Sequence, residues 1–125
     1  LPIMIQIYTT NYTKASRLSN KHYLKVSISY IRPREFNGMH IQSFAPSKEL
    51  FEDYKNGLSP EQYESRFREQ IDQLNDIYVF FQLMAKQAKG RDILLLCYEK
   101  KNAFCHRHIL SDIIFERYGY RIKEL

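Results

Sequence analysis

Apolar and polar positions change period several times along the chain, and each change predicts an element. Ile5 to Thr9 alternates and is rich in β-branched residues, which predicts a first strand. The polar stretch from Asn11 to Asn20 reads as a loop with a short helical turn through Lys14–Leu18. Leu24–Tyr30 alternates again, a second strand that Arg32-Pro33-Arg34 brings to an end. Glu35–Phe44 is irregular and long enough to act as a lid, while Phe36, Met39, Ile41 and Phe44 would pin it to the core. Ser47 caps a helix over Lys48–Asn56 that Gly57 stops.

Ser59-Pro60-Glu61-Gln62 is the clearest helix start: Ser59 caps, Pro60 takes the first turn, and Gln62 closes a capping box. Tyr63, Phe67, Ile71, Leu74, Tyr78, Phe81 and Met84 then recur at three and four. They predict one long amphipathic helix, or two joined near Asn75-Asp76. Tyr78-Val79-Phe80-Phe81 widens the apolar face, as a core stripe or as the seam of a homodimer. Ile93–Leu96 is apolar without alternation, the pattern of a strand buried on both faces. A helix capped by Asn102 and ended by Gly119 follows, then a short charged edge strand at Tyr120–Lys123. The order predicts an α/β fold: a small three-layer domain with a mostly parallel sheet of about four strands and helices on both faces. Met4 reads as the natural start and Leu1-Pro2-Ile3 as an added remnant, giving a single domain over residues 4–125.

Composition narrows the class. At 125 residues, 44% hydrophobic and 26% charged, the chain suits one globular core. The absence of a long apolar run argues against a membrane partner. Two cysteines suit a reducing, cytoplasmic setting. A net charge of +5 permits nucleic acid or an anionic small molecule as partner, to a monomer or a homodimer, without requiring either.

The candidate chemistry gathers between Cys97 and Arg107. Ligands of open α/β sheets sit beyond the carboxyl ends of strands, where Cys97, Tyr98 and Glu99 fall. Alternation puts Cys97 and Glu99 on one side and Tyr98 on the other. Cys105, His106 and Arg107 open the next helix, whose positive end favours a thiolate at Cys105 and an anion held by Arg107. Glu99 and Cys105, with Cys97, are the catalytic candidates, as base and nucleophile. Arg107 and His106 are the ligand-binding candidates, joined by Arg32, Thr9, Thr10 and Tyr12 at the ends of the first two strands. Plainer readings stand beside these: both cysteines as core residues, Arg107 paired with Glu99, and the threonines bonded within their own turn. His106 and His108 point to different faces of the helix, so one at most enters a site. A Cys-x5-Arg phosphatase cradle fails, because the sixth residue after Cys97 is Ala103. A zinc site of Cys97, Cys105 and His108 lacks a fourth ligand, so neither metal nor cofactor is assigned.

Leu94-Leu95-Leu96-Cys97-Tyr98-Glu99-Lys100 followed by Cys105-His106-Arg107 resembles the signature of the family known as domain of unknown function 488. Ala45-Pro46-Ser47-Lys48-Glu49-Leu50 is similar to a segment of its YeaO-like branch, and Ile7-Tyr8-Thr9-Thr10 with Tyr12 to its first strand, without the usual Ile-Gly. The resemblance implies an α/β fold and marks the Cys-x-Glu and Cys-His-Arg residues. It implies no agreed activity. The expectation is an anion-binding pocket at the carboxyl edge of the sheet, for a nucleotide, a nucleic-acid end or a phosphorylated metabolite, with catalysis left open. The alternatives are a non-catalytic interaction module and a thiol redox sensor.

Overall fold

The computed structural model describes residues 5–125, so the readings of Leu1–Ile3 and Met4 lie outside the described residues. Its framework is a parallel sheet of five strands in the order β3-β2-β4-β1-β5: β1 is Ile7–Asn11, β2 Tyr23–Ser27, β3 Met39–His40, β4 Asp92–Cys97 and β5 Lys123–Glu124. β4 is central. It pairs with β1 from Ile7↔Ile93 to Asn11↔Cys97 and with β2 from Tyr23↔Asp92 to Ser27↔Leu96. Ile93 through Cys97 are all buried, as an unalternating apolar run requires when both faces are covered.

The two faces carry unequal layers. Ile93 and Leu95 join the main core with Phe44, Leu50, Phe67, Ile71, Met84, Ile113 and Ile114. These residues come from the 3-10 turn Gln42–Phe44 and from four helices, α2 (Lys48–Lys55), α3 (Pro60–Asp72), α4 (Tyr78–Ala88) and α5 (His106–Tyr118). Leu94 and Leu96 meet a smaller cluster around Ala15 of α1 (Tyr12–Ala15), with Tyr8, Tyr12 and Phe36 half-buried against it.

The α/β class and parallel sheet agree with the expectation; the strand count and several boundaries do not. The additional strand, β3, lies within the stretch read as a lid. Ile41 N donates to Ser27 O, His40 Nδ1 and Ser27 Oγ are 2.8 Å apart, and Phe44 is fully buried. A two-residue strand is too short to show alternation, and its partner supplies the pattern instead. Gly38 permits the approach, since a Cβ there would meet Lys25 O and the Phe36 ring. The turn expected at Lys14–Leu18 begins earlier, because the Asn11 side chain caps α1 by accepting from Lys14 N.

The caps at Ser47 and Ser59 form as read, the latter as a complete capping box with Pro60 in the first turn. The long periodic stretch divides into α3 and α4. Phe80 and Phe81 pack on Phe44, while Tyr78, Val79 and Leu83 are exposed. α5 starts at His106, with extended Cys105 at the cap position in place of Asn102. Phe104 is held outside the helix against Tyr54 and Tyr63, at ring separations of 5.5 and 5.3 Å, which prevents an earlier start. No helix among the described residues is long and apolar enough to cross a membrane.

Leu95 is fully buried at the centre of the main core. Leu95→Ala should cost about 2–5 kcal/mol and Ser59→Ala about 1 kcal/mol. Urea titration of the two variants checks the ranking; a smaller loss for Leu95→Ala would contradict the central position of β4.

Candidate functional site

β4 ends at Cys97, and the chain turns out of the sheet beneath α2 and α3. An open cleft of about 540 Å³ lies there. Ser29, Tyr30 and Ile31 line it after β2; Cys97, Tyr98 and Glu99 after β4; Phe104, Cys105 and His106 at the start of α5; and Pro46, Phe51, Tyr54, Lys55 and Tyr63 on and around α2 and α3. Such an edge is the usual ligand position of a parallel sheet. The walls are mainly aromatic. Phe51 and Tyr54 lie three apart on α2, and Phe51 stacks on Tyr30 at 4.5 Å.

The polar groups converge on Cys97. Its Sγ lies 2.7 Å from Cys105 Sγ and donates to Glu99 Oε2 at 3.0 Å. Cys97 and Glu99 thus share a side, as expected, although β4 ends at Cys97 and Glu99 lies in the bend beyond it. His106 Nδ1 stands 3.9 Å from Cys97 Sγ and 3.7 Å from Cys105 Sγ. His106 Nε2 is 2.6 Å from Ile28 O. A carbonyl only accepts, so Nε2 carries a proton, and in the neutral ring Nδ1 presents a lone pair to the two sulfurs. The Phe67 ring meets the imidazole edge-on at 5.4 Å and holds its plane.

Cys97, Cys105 and His106 are all buried, whereas Glu99 is exposed and accessible from the cleft. The neighbouring Cys105 thiol and then burial push the Cys97 thiol strongly up, so Cys97 is a neutral thiol in the dithiol state. Burial above all raises the Tyr63 phenol, which stays protonated against the cleft.

The donor set Cys97 Sγ, Cys105 Sγ and His106 Nδ1 lies within 4.8 Å and has the chemistry to hold a metal ion. Sequence spacing pairs Cys105 with His108. That spacing applies inside a helix, and Cys105 is the extended residue before one. From that position it meets His106, while His108 lies outside the cleft lining.

Five ligand-binding candidates are not brought into the cleft lining. Arg107, one residue on from His106, turns about 100° around α5 toward β1 and β5. It is fully buried and pairs with Glu124 at 3.0 Å, not with Glu99, and donates also to Lys100 O. Thr9 Oγ1 donates to the same Glu124, and Thr10 Oγ1 to Leu125 O. Both hydroxyls are taken up by the C-terminal segment, a contact between residues 115 apart that local sequence could not show. Tyr12 bonds to Ser27 and Ser29 through its hydroxyl and touches Tyr98, behind the strand ends. Arg32 is exposed. Conversely, Lys55, Phe51, Tyr54 and Tyr63 line the cleft without a sequence signal that marks them as site residues. The spacing of Phe51 and Tyr54 on α2 resembles any amphipathic stripe, and so does that of Tyr63 on α3.

A model of the family described as the active DUF488-N3 subclade matches residues 7–118. The chain is therefore a member of the domain of unknown function 488 family, and Cys97, Glu99, Cys105 and His106 of its Cys-x-Glu and Cys-His-Arg motifs meet at one sheet edge, while Arg107 does not join them. No curated protein and no solved structure matches it significantly.

Removing Arg107 leaves Glu124 half-paired in a buried setting, so Arg107→Ala should destabilise by about 3–5 kcal/mol, measured by denaturant titration. A neutral effect would return Arg107 to the ligand candidates. Beside it, burial and then the Arg107 charge lower the His108 pKa below its usual 6.5. The folded chain binds that proton less tightly than the unfolded one. The contribution of neutral His108 is therefore complete above pH 6.5 and is lost as pH falls below it. Urea midpoints should decline on acidification, and less steeply in His108→Gln; parallel declines would contradict this assignment.

Proposed function

We propose that the cleft binds an anionic aromatic ligand of the nucleotide class and acts on it, with Glu99 as general base. The observation that carries this reading is one cleft of about 540 Å³ that combines aromatic walls with the Cys97–Glu99–Cys105–His106 group. Its volume lies in the range typical of small-molecule sites. Phe51, Tyr54 and Phe104 offer ring faces for a base. Lys55 replaces Arg107 as the cation that meets the ligand's charge: it lines the cleft and lies 5.6 Å over the Phe51 ring. The Glu99 carboxylate is exposed beside the buried thiols, where a bound substrate can reach it. The subclade's description as active fits catalysis. Two buried free thiols fit a reducing, cytoplasmic setting.

A thermal-shift panel of mononucleotides, nucleosides, inorganic phosphate and short oligonucleotides tests the reading. A mononucleotide at about 100 times its Kd should add about 2.7 kcal/mol of stability. Lys55→Ala should weaken a nucleotide more than its nucleoside, and Glu99→Gln should retain binding while losing turnover. No shift with any mononucleotide would reject this ligand class, and binding indifferent to Glu99 and without turnover would favour an interaction module.

The 2.7 Å separation of the sulfurs favours a second reading, dithiol redox sensing. Peroxide would take two electrons from the pair, leaving a Cys97–Cys105 disulfide and two waters. Intact-mass analysis should show a reversible loss of two hydrogens; its absence after peroxide treatment would eliminate this reading.

A further inference from the structure

We infer that Cys97, Cys105 and His106 form a zinc site, with the two Sγ atoms and Nδ1 as ligands and the fourth position open to the cleft. The inference rests on the donor geometry and does not depend on the nucleotide reading.

The argument begins with the histidine. His106 is 5% exposed, and its Nε2–H is committed to Ile28 O. Histidines that ligate metals characteristically donate their other ring N–H to a carbonyl or carboxylate, which fixes tautomer and ring direction. Here the free lone pair faces two sulfurs rather than a strong donor. A disulfide would leave that buried lone pair without any partner. Zinc satisfies all three donors.

The distances agree with a small adjustment. Zn–S near 2.3 Å and Zn–N near 2.05 Å at tetrahedral angles require S···N of about 3.55 Å and S···S of about 3.75 Å. The two S···N separations, 3.9 and 3.7 Å, are close to the requirement. The sulfurs, at 2.7 Å, must part by about 1 Å, within reach of side-chain torsions.

Charge points the same way. Zinc would displace one proton from each thiol to solvent, forming two Zn–S bonds and one Zn–N bond. Two thiolates and a dication sum to zero, which suits burial, and thiolates select zinc over harder cations. Three protein ligands with an open fourth position define a catalytic rather than a structural zinc. Glu99, 3.0 Å from Cys97 Sγ and exposed, stands where it can accept a proton from water at that position.

The test uses the whole chain purified under reducing conditions without chelator. Elemental analysis should find zinc equimolar with protein. After zinc removal, Co²⁺ should give thiolate-to-cobalt charge transfer and the strong visible bands of a tetrahedral site. Cys105→Ser and His106→Ala should each weaken zinc affinity at least about tenfold, the loss typical even of groups that only orient a ligand. Because these residues are buried, the wild-type cobalt spectrum decides independently of whether the variants fold. Reduced wild-type protein that takes up neither zinc nor cobalt overturns the inference, as does cobalt uptake without a charge-transfer band. Neither result bears on nucleotide binding by the metal-free chain, so the two proposals fail separately.

Discussion

Burial of β4 on both faces is the constraint on which the rest depends. Five consecutive residues, Ile93 to Cys97, are buried. A strand of this kind must lie inside a sheet and be covered above and below. β1 and β2 flank it, α3, α4 and α5 contribute to the core against one face, and α1 with its neighbours covers the other. The first side chain beyond the apolar run is the buried Cys97 thiol, and the chain then emerges into solvent at Tyr98 and Glu99. The site is thus a direct consequence of where the central strand ends.

The start of α5 divides two kinds of work between adjacent residues. His106 faces β2 and the sulfurs. Arg107 faces β1 and β5 and locks the C-terminal strand through Glu124, which Thr9 also engages. The Cys-His-Arg motif therefore combines a chemical element with a structural one. Its arginine is a buried partner of a carboxylate, and its cysteine and histidine belong to the cleft. Such a division explains how one short motif can hold together both the domain and its candidate site.

The cleft brings together groups of opposite character. Half of its aromatic lining, Phe51, Tyr54 and Tyr63, comes from helices far from the Cys-x-Glu strand in sequence, and its buried thiols and imidazole sit beside an exposed carboxylate. The neutral Cys97 thiol avoids the cost of buried charge. The same arrangement leaves the sulfurs close enough to one another, and to the imidazole, for their chemistry to be collective.

By itself the sequence determined whatever depends on neighbours in the chain. The α/β class followed from alternation at Leu24–Tyr30, continuity at Ile93–Leu96 and helical spacing between Tyr63 and Met84. The caps at Ser47 and Ser59 followed from short-range hydrogen bonding, and the contact of Cys97 with Glu99 was signalled by their two-residue spacing. Tertiary structure alone decided the partners across space. β3 exists because β2 offers it an edge; Arg107 leaves the cleft because Glu124 waits at a strand seventeen residues away. His106 rather than His108 meets the sulfurs because Cys105 is extended, a conformation imposed by the docking of Phe104 on Tyr54 and Tyr63. Local rules report spacing along one element. The direction in which a side chain finds its partner depends on which element packs beside it, and that was settled only when the sheet and helices came together.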